Sequence, residues 1–92
     1  TGTIQYHERY YSWLQWHNRW SNAPNNATIS VIGISGSTMQ VSPAGSYTFT
    51  VPYTIDNPNI TFTYTSSNQT YRQQISLIDL KSTPNLRLDW VN

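Results

Sequence analysis

Side chains able to do covalent or metal chemistry are few in this 92-residue sequence. They are two histidines, four carboxylates and the serines of Gly33-Ile34-Ser35-Gly36-Ser37, and there is no cysteine. The pentapeptide approaches the Gly-x-Ser-x-Gly turn that holds a nucleophilic serine, but Ser37 stands where the second glycine is required, and a β-turn accounts for the stretch. Glu8, Asp56, Asp79 and Asp89 are scattered along the chain, so a glycosidase pair would have to be assembled by the fold. Their plain roles lie closer: Asp56 in turn sequence, Asp79 near Lys81, Asp89 on a strand face with Arg87. The His7-Glu8 pair lacks the second histidine four residues on that a zinc-protease helix carries, and His17 reads as a hydrogen-bonded packing residue. These residues point to no enzyme, no metal and no cofactor.

Aromatic side chains are the feature in excess. They make up 14% of the residues, and the stretch Tyr6 to Trp20, YHERYYSWLQWHNRW, holds Tyr6, Tyr10, Tyr11, Trp13, Trp16 and Trp20. A small domain cannot bury them all. Rings left at the surface beside Asn and Arg fit a carbohydrate, whose C–H faces stack on aromatic planes while amides and guanidinium groups bond its hydroxyls. The residues singled out for that role are Tyr11, Trp16, Asn18 and Arg19. Trp and Tyr also suit membrane interfaces, so the alternative reading is a membrane-active toxin or antimicrobial protein with an aromatic belt. A non-catalytic structural or adhesive surface protein is the third.

Charge excludes one partner. Net charge is +1, and Arg9, Arg19, Arg72, Lys81 and Arg87 form no basic stripe of the kind that neutralises phosphates, so nucleic acid is not expected. Few charges, abundant Ser, Thr and Asn, and a start at Thr1 rather than methionine lead to the expectation of a mature secreted or cell-surface chain. Sequons at Asn26-Ala27-Thr28, Asn59-Ile60-Thr61 and Asn68-Gln69-Thr70 agree with that compartment. No apolar run reaches transmembrane length.

The elements that must position the aromatic segment follow from periodicity. At 100° per residue Tyr6, Tyr10, Trp13, His17 and Trp20 form one stripe, with Gln5, Glu8, Ser12, Gln15, Asn18 and Arg19 opposite, which predicts an amphipathic helix over 6–20 in preference to a strand. Tyr11 and Trp16 fit the stripe badly, and for that reason are the expected exposed rings. Downstream the pattern is β. Thr28 to Ile34 and Thr38 to Val41 form a predicted hairpin, and Tyr47 to Ile55 alternates cleanly and is expected to pair with Ile60 to Tyr64, Tyr53 opposite Phe62. Tyr71 to Leu80 reads as a strand with a bulge near Leu77, and Leu86 to Val91 as the last strand. Pro43-Ala44-Gly45-Ser46-Tyr47-Thr48-Phe49-Thr50-Val51 is similar to segments in many extracellular sandwiches, carbohydrate-binding modules among them. The whole, 1–92, is expected to be one mainly β domain: a small antiparallel β-sandwich or jelly-roll-like fold with the aromatic helix packed on it.

Overall fold

A computed structural model describes residues 1–34, 38–51 and 56–91. The chain is mainly β: β1 (Gly2–Ser12), β2 (Gln15–Asn22), β3 (Thr28–Ile32), β4 (Thr38–Gln40), β5 (Ser46–Tyr47), β6 (Asn59–Ser66), β7 (Gln69–Ser76), the helix α1 (Leu77–Ser82) and β8 (Asn85–Trp90). The strands form one mixed sheet in the order β2-β1-β8-β7-β6-β3-β4, with β5 against β1, where an arrangement of two antiparallel sheets was expected. Only the β1/β8 pair is parallel among these neighbours. The sheet also closes on itself: Val41, just past β4, bridges Tyr47, and Tyr47 pairs with Gly2 at the start of β1. This closure pairs the β4 end of the sheet with β1 through β5, and leaves β2 as an edge strand.

Inside the closed sheet Ile4, Ile29, Val41, Ile60, Phe62, Leu86 and Leu88 are fully buried, and Met39, Tyr47 and Leu77 join them. No polar or charged side chain is buried among the described residues. One end of this core is finished by three tyrosines, Tyr6, Tyr64 and Tyr71, whose ring centroids lie 5.0 to 5.9 Å apart.

The segment 6–20 is not a helix. It is the hairpin of β1 and β2, folded at Trp13-Leu14, with Tyr11↔Trp16, Tyr10↔His17 and His7↔Trp20 paired across it. Both turn residues have positive φ, 52° and 61°, the left-handed geometry of a two-residue hairpin turn. The physical reason for the correction is a change of phase. Alternation read straight through 13 and 14 mixes the faces, but a two-residue turn puts odd residues of β1 on the same face as even residues of β2. With that reset, the faces are coherent. No Asn-Gly or other glycine marked the turn.

Two further corrections concern pairing. β7 ends at Ser76, and Leu77 to Leu80, expected to continue the strand past a bulge, belong to α1 (Leu77–Ser82). Ser76 caps it, its hydroxyl accepting the Asp79 N–H at 3.3 Å, and Leu77 and Leu80 are buried at helical spacing. The expected partner of β6 was 47–55, yet β6 lies between β3 (Val31↔Phe62) and β7 (Tyr64↔Tyr71). Among the described residues of that segment only Tyr47, the second residue of β5, lies in a strand, paired with β1, and residues 52–55, with the pairings expected of them, lie outside the described residues. Phe49 still reaches the core, edge-on to Phe62 at 6.3 Å. The β3/β4 hairpin (Ile29↔Met39) and the inward Leu86 and Leu88 of β8 are as expected.

Candidate functional site

The parallel pairing of β1 with β8 ends at Tyr6↔Leu88, whereas β1 and β2 stay paired as far as Ser12↔Gln15. The hairpin therefore runs on as a two-stranded arm. One face of it carries His7, Arg9 and Tyr11 from β1 and Trp16, Asn18 and Trp20 from β2, because their registers pair them. With Trp90 and Arg87 of β8 they make a continuous stack. Arg87 lies over Trp20 at 4.0 Å, Trp20 stacks on His7 at 4.7 Å, and His7 stacks on Trp90 at 4.0 Å. Arg9 then sits over both Trp90 (5.4 Å) and Trp16 (5.5 Å), and Trp16 meets Tyr11 edge-on at 5.4 Å. Alternating cations and rings satisfies the negative face of each π-system.

His7 is the centre of the stack. Nδ1 is 2.8 Å from Asp89 Oδ1, and Nε2 is 3.1 Å from Asn18 Oδ1. Both neighbours are oxygen acceptors, so the ring satisfies both only when each nitrogen carries a proton. The Asp89 bond accordingly raises His7 above its ordinary 6.5, with the Asn18 bond adding to it and desolvation opposing. The same bond, with the Trp90 backbone N–H, holds Asp89 below 3.8. With its two ring nitrogens engaged by Asp89 of β8 and Asn18 of β2, His7 ties the three strands together at the base of the arm.

The opposite face is separate. Arg19 Nε donates to Glu8 at 3.0 Å, its guanidinium covers Tyr10 at 4.4 Å, and Tyr10 stacks on His17 at 5.3 Å. The Ser21 hydroxyl and then Arg19 lower Glu8 below its ordinary 4.5. Both carboxylates near the arm are thus occupied by bonds.

Between the arm and the β6/β7 turn lies a cleft of about 480 Å³, lined by Arg9, Trp16, Ser66, Ser67, Gln69 and Tyr71. It opens where β8 ends, and the tyrosine trio that closes the core supplies its Tyr71 wall. Trp16 is 65% exposed. The far wall is another tight turn, Ser67 and Asn68 both with positive φ. No group of three His, Asp or Glu suited to a metal ion occurs among the described residues.

Of the residues singled out from sequence, Tyr11 and Trp16 are exposed and adjacent, and Asn18 shares their face but is bonded to His7. Arg19 is on the other face; Arg9 is the guanidinium beside Trp16. Sequence reasoning missed Arg9, Gln69, Tyr71, Trp90 and the role of His7. Arg9 was recoverable by resetting the strand phase at Trp13-Leu14. Gln69, Tyr71 and Trp90 come from distant strands, and nothing local marks them. Comparison with protein-family models, with curated proteins and with solved structures finds no match for this chain.

Proposed function

We propose that this chain is a non-catalytic binding module, secreted or at a cell surface, that holds a neutral carbohydrate in the cleft between the arm and the β6/β7 turn. The observation that carries the reading is the lining. The exposed indole of Trp16 offers a flat apolar plane beside the largely buried Tyr71, while Arg9, Ser66, Ser67 and Gln69 offer donors and acceptors and no carboxylate lines the space. A sugar ring has that division of surface, apolar C–H patches edged by hydroxyls. The volume falls in the range of small-ligand sites, about 300–1,000 Å³. Tyr11, edge-on to Trp16, holds that ring in place rather than stacking on the ligand itself. The sequon asparagines Asn26, Asn59 and Asn68 are all exposed, which fits a glycoprotein of the secretory route.

The test is a glycan array followed by calorimetric titration of any hit. Trp16→Ala and Gln69→Ala should each weaken binding, Trp16→Ala by roughly tenfold or more, since one ring stacked on one sugar is worth about the 0.5–1.5 kcal/mol of an aromatic contact plus the area it covers. Melting temperature is the control for folding. Absence of any array hit, or a hit that survives Trp16→Ala unchanged, removes the reading.

A further inference from the structure

Neither the core nor the cleft uses the apex of the arm. Trp13 is 92% and Leu14 86% exposed, and the pair beneath them, Tyr11 and Trp16, is 57% and 65% exposed. An apolar cap at the end of a projecting two-stranded arm is not a packing requirement of this fold. Nor is it a turn requirement, because the φ values of 52° and 61° suit Asn, Asp or Gly and are rarely adopted by bulky side chains. From Arg9 to Arg19 the arm carries two guanidinium groups and no carboxylate. Glu8, the nearest acid, is bonded to Ser21 and Arg19.

We propose that the apex enters the interfacial region of a phospholipid bilayer. Trp13 and Leu14 reach the acyl boundary, the Tyr11 and Trp16 rings sit at headgroup depth, and Arg9 meets lipid phosphate, Arg19 being offset by its bond to Glu8. The length fits. Trp13 lies four steps beyond Arg9, roughly 14 Å of extended strand at about 3.4 Å each, so an arm tilted in the interface brings the apex to the depth of about 5–10 Å of interfacial segments while Arg9 stays among the headgroups. The charge pattern selects lipid over a second copy of the chain, because tip-to-tip contact between copies would set like guanidinium groups against each other, whereas anionic headgroups complement them. The two surfaces share Arg9 and Trp16, but Trp13 and Leu14 do not line the cleft, so changes at the apex test this inference apart from the carbohydrate reading.

The experiment uses sugar-free vesicles of phosphatidylcholine, with and without phosphatidylserine, and reads co-flotation together with quenching of tryptophan emission by bromine-labelled acyl chains. Wild-type protein should float with the vesicles, more tightly on the anionic ones, the excess disappearing at high salt. The double variant Trp13→Asn/Leu14→Gly keeps the turn and removes the apolar cap. Each transferred side chain is worth roughly a factor of ten in partitioning, so the variant should bind about a hundredfold more weakly. It should retain any carbohydrate binding, which separates failure here from failure of the cleft. Wild-type protein that stays in solution, or a double variant that partitions as well as wild type, overturns the proposal. So does concentration-dependent dimerisation that the double variant abolishes, because the cap is then a protein contact.

Discussion

Replacing Trp13-Leu14 by Asn-Gly should make the protein more stable although it deletes two large apolar residues. Wild type holds both in left-handed backbone, φ 52° and 61°, at a cost of about 1–2 kcal/mol for each residue with a β-carbon. Glycine relieves this fully and asparagine largely, since its short polar side chain tolerates the region. Against a gross relief of about 2–4 kcal/mol stands the extra chain entropy of an unfolded glycine, roughly 0.5–1 kcal/mol. Lost packing adds little, because Trp13 and Leu14 are 92% and 86% exposed. The net is a gain of about 2 kcal/mol, which for a domain of this size raises the melting temperature by roughly 8–16 °C. Thermal unfolding followed by far-ultraviolet circular dichroism, repeated over a range of protein concentrations, measures it. An unchanged or lower melting temperature would refute the reasoning: the two side chains would then have to be buried in solution, and a concentration dependence would say against what.

Other consequences follow from the core and the stack. Phe62→Ala removes a fully buried ring between β3 and β7 and should destabilise by about 3–5 kcal/mol in denaturant titration, while exposed Thr65→Ala stays within about 0.5 kcal/mol; equal effects would mean that the faces of β6 are exchanged. The His7–Asp89 pair sets a pH profile. His7 is raised by its bond to Asp89, so its contribution is complete below 6.5 and is lost as pH climbs through the folded value above that. Asp89, lowered by His7, and Glu8, lowered by Ser21, contribute above their ordinary 3.8 and 4.5 and lose that stability as pH falls. Melting temperature should therefore be greatest between about pH 4.5 and 6.5, and His7→Phe should flatten the alkaline limb; a limb that persists in the variant assigns it elsewhere. Trp90→Ala removes the His7 stack, one Arg9 contact and the 2.6 Å bond from Nε1 to the His7 carbonyl. About 2–4 kcal/mol should be lost, and amide exchange should quicken across 9–18 more than in β6; uniform quickening would mean that the stack does not hold the arm in particular.

The β character, the β3/β4 hairpin and the inward side of β8 could be read from the sequence because each rests on local alternation. The arm could not. Tyr6, Tyr10, Trp13, His17 and Trp20 are spaced by three and four and so read as a helical stripe, although in the hairpin Tyr6, Tyr10 and His17 share one face, Trp20 lies on the other and Trp13 is in the turn; helix and hairpin compete for the same stretch. Only a turn signal separates these, and Trp13-Leu14 supplies none. The same ambiguity, reversed, hid α1: Leu77 and Leu80 continue the apolar run of β7 until their spacing of three is weighed against Ser76 as a cap. Part of the site was visible, since Tyr11 and Trp16 were singled out as exposed rings. The rest needed the β8 crossover, which brings Trp90 from the far end of the chain onto His7.

That crossover also explains how the strained apex persists. A two-stranded hairpin is marginal by itself in water, and beyond Tyr6↔Leu88 the arm has no registered strand partner in β8. Stiffness must come from its faces. Trp90 belongs to β8, whose Leu86 and Leu88 are fixed in the core, and the planar guanidinium of Arg9 lies over Trp90 as well as over Trp16. The planar group that covers both rings is a property of arginine that lysine does not share. Rigidity thus passes from the core through an indole and a guanidinium into the outer half of the arm. On the other face Glu8, Arg19, Tyr10 and His17 do the same along the strand pair. With Ser12↔Gln15 paired directly beneath it, and Tyr11↔Trp16 and Tyr10↔His17 fixed below that, the connection is a two-residue turn, whatever residues occupy it. The sequence is then free to place at the apex a tryptophan and a leucine that the turn itself disfavours, which is why their presence there is read as a property of what the apex meets.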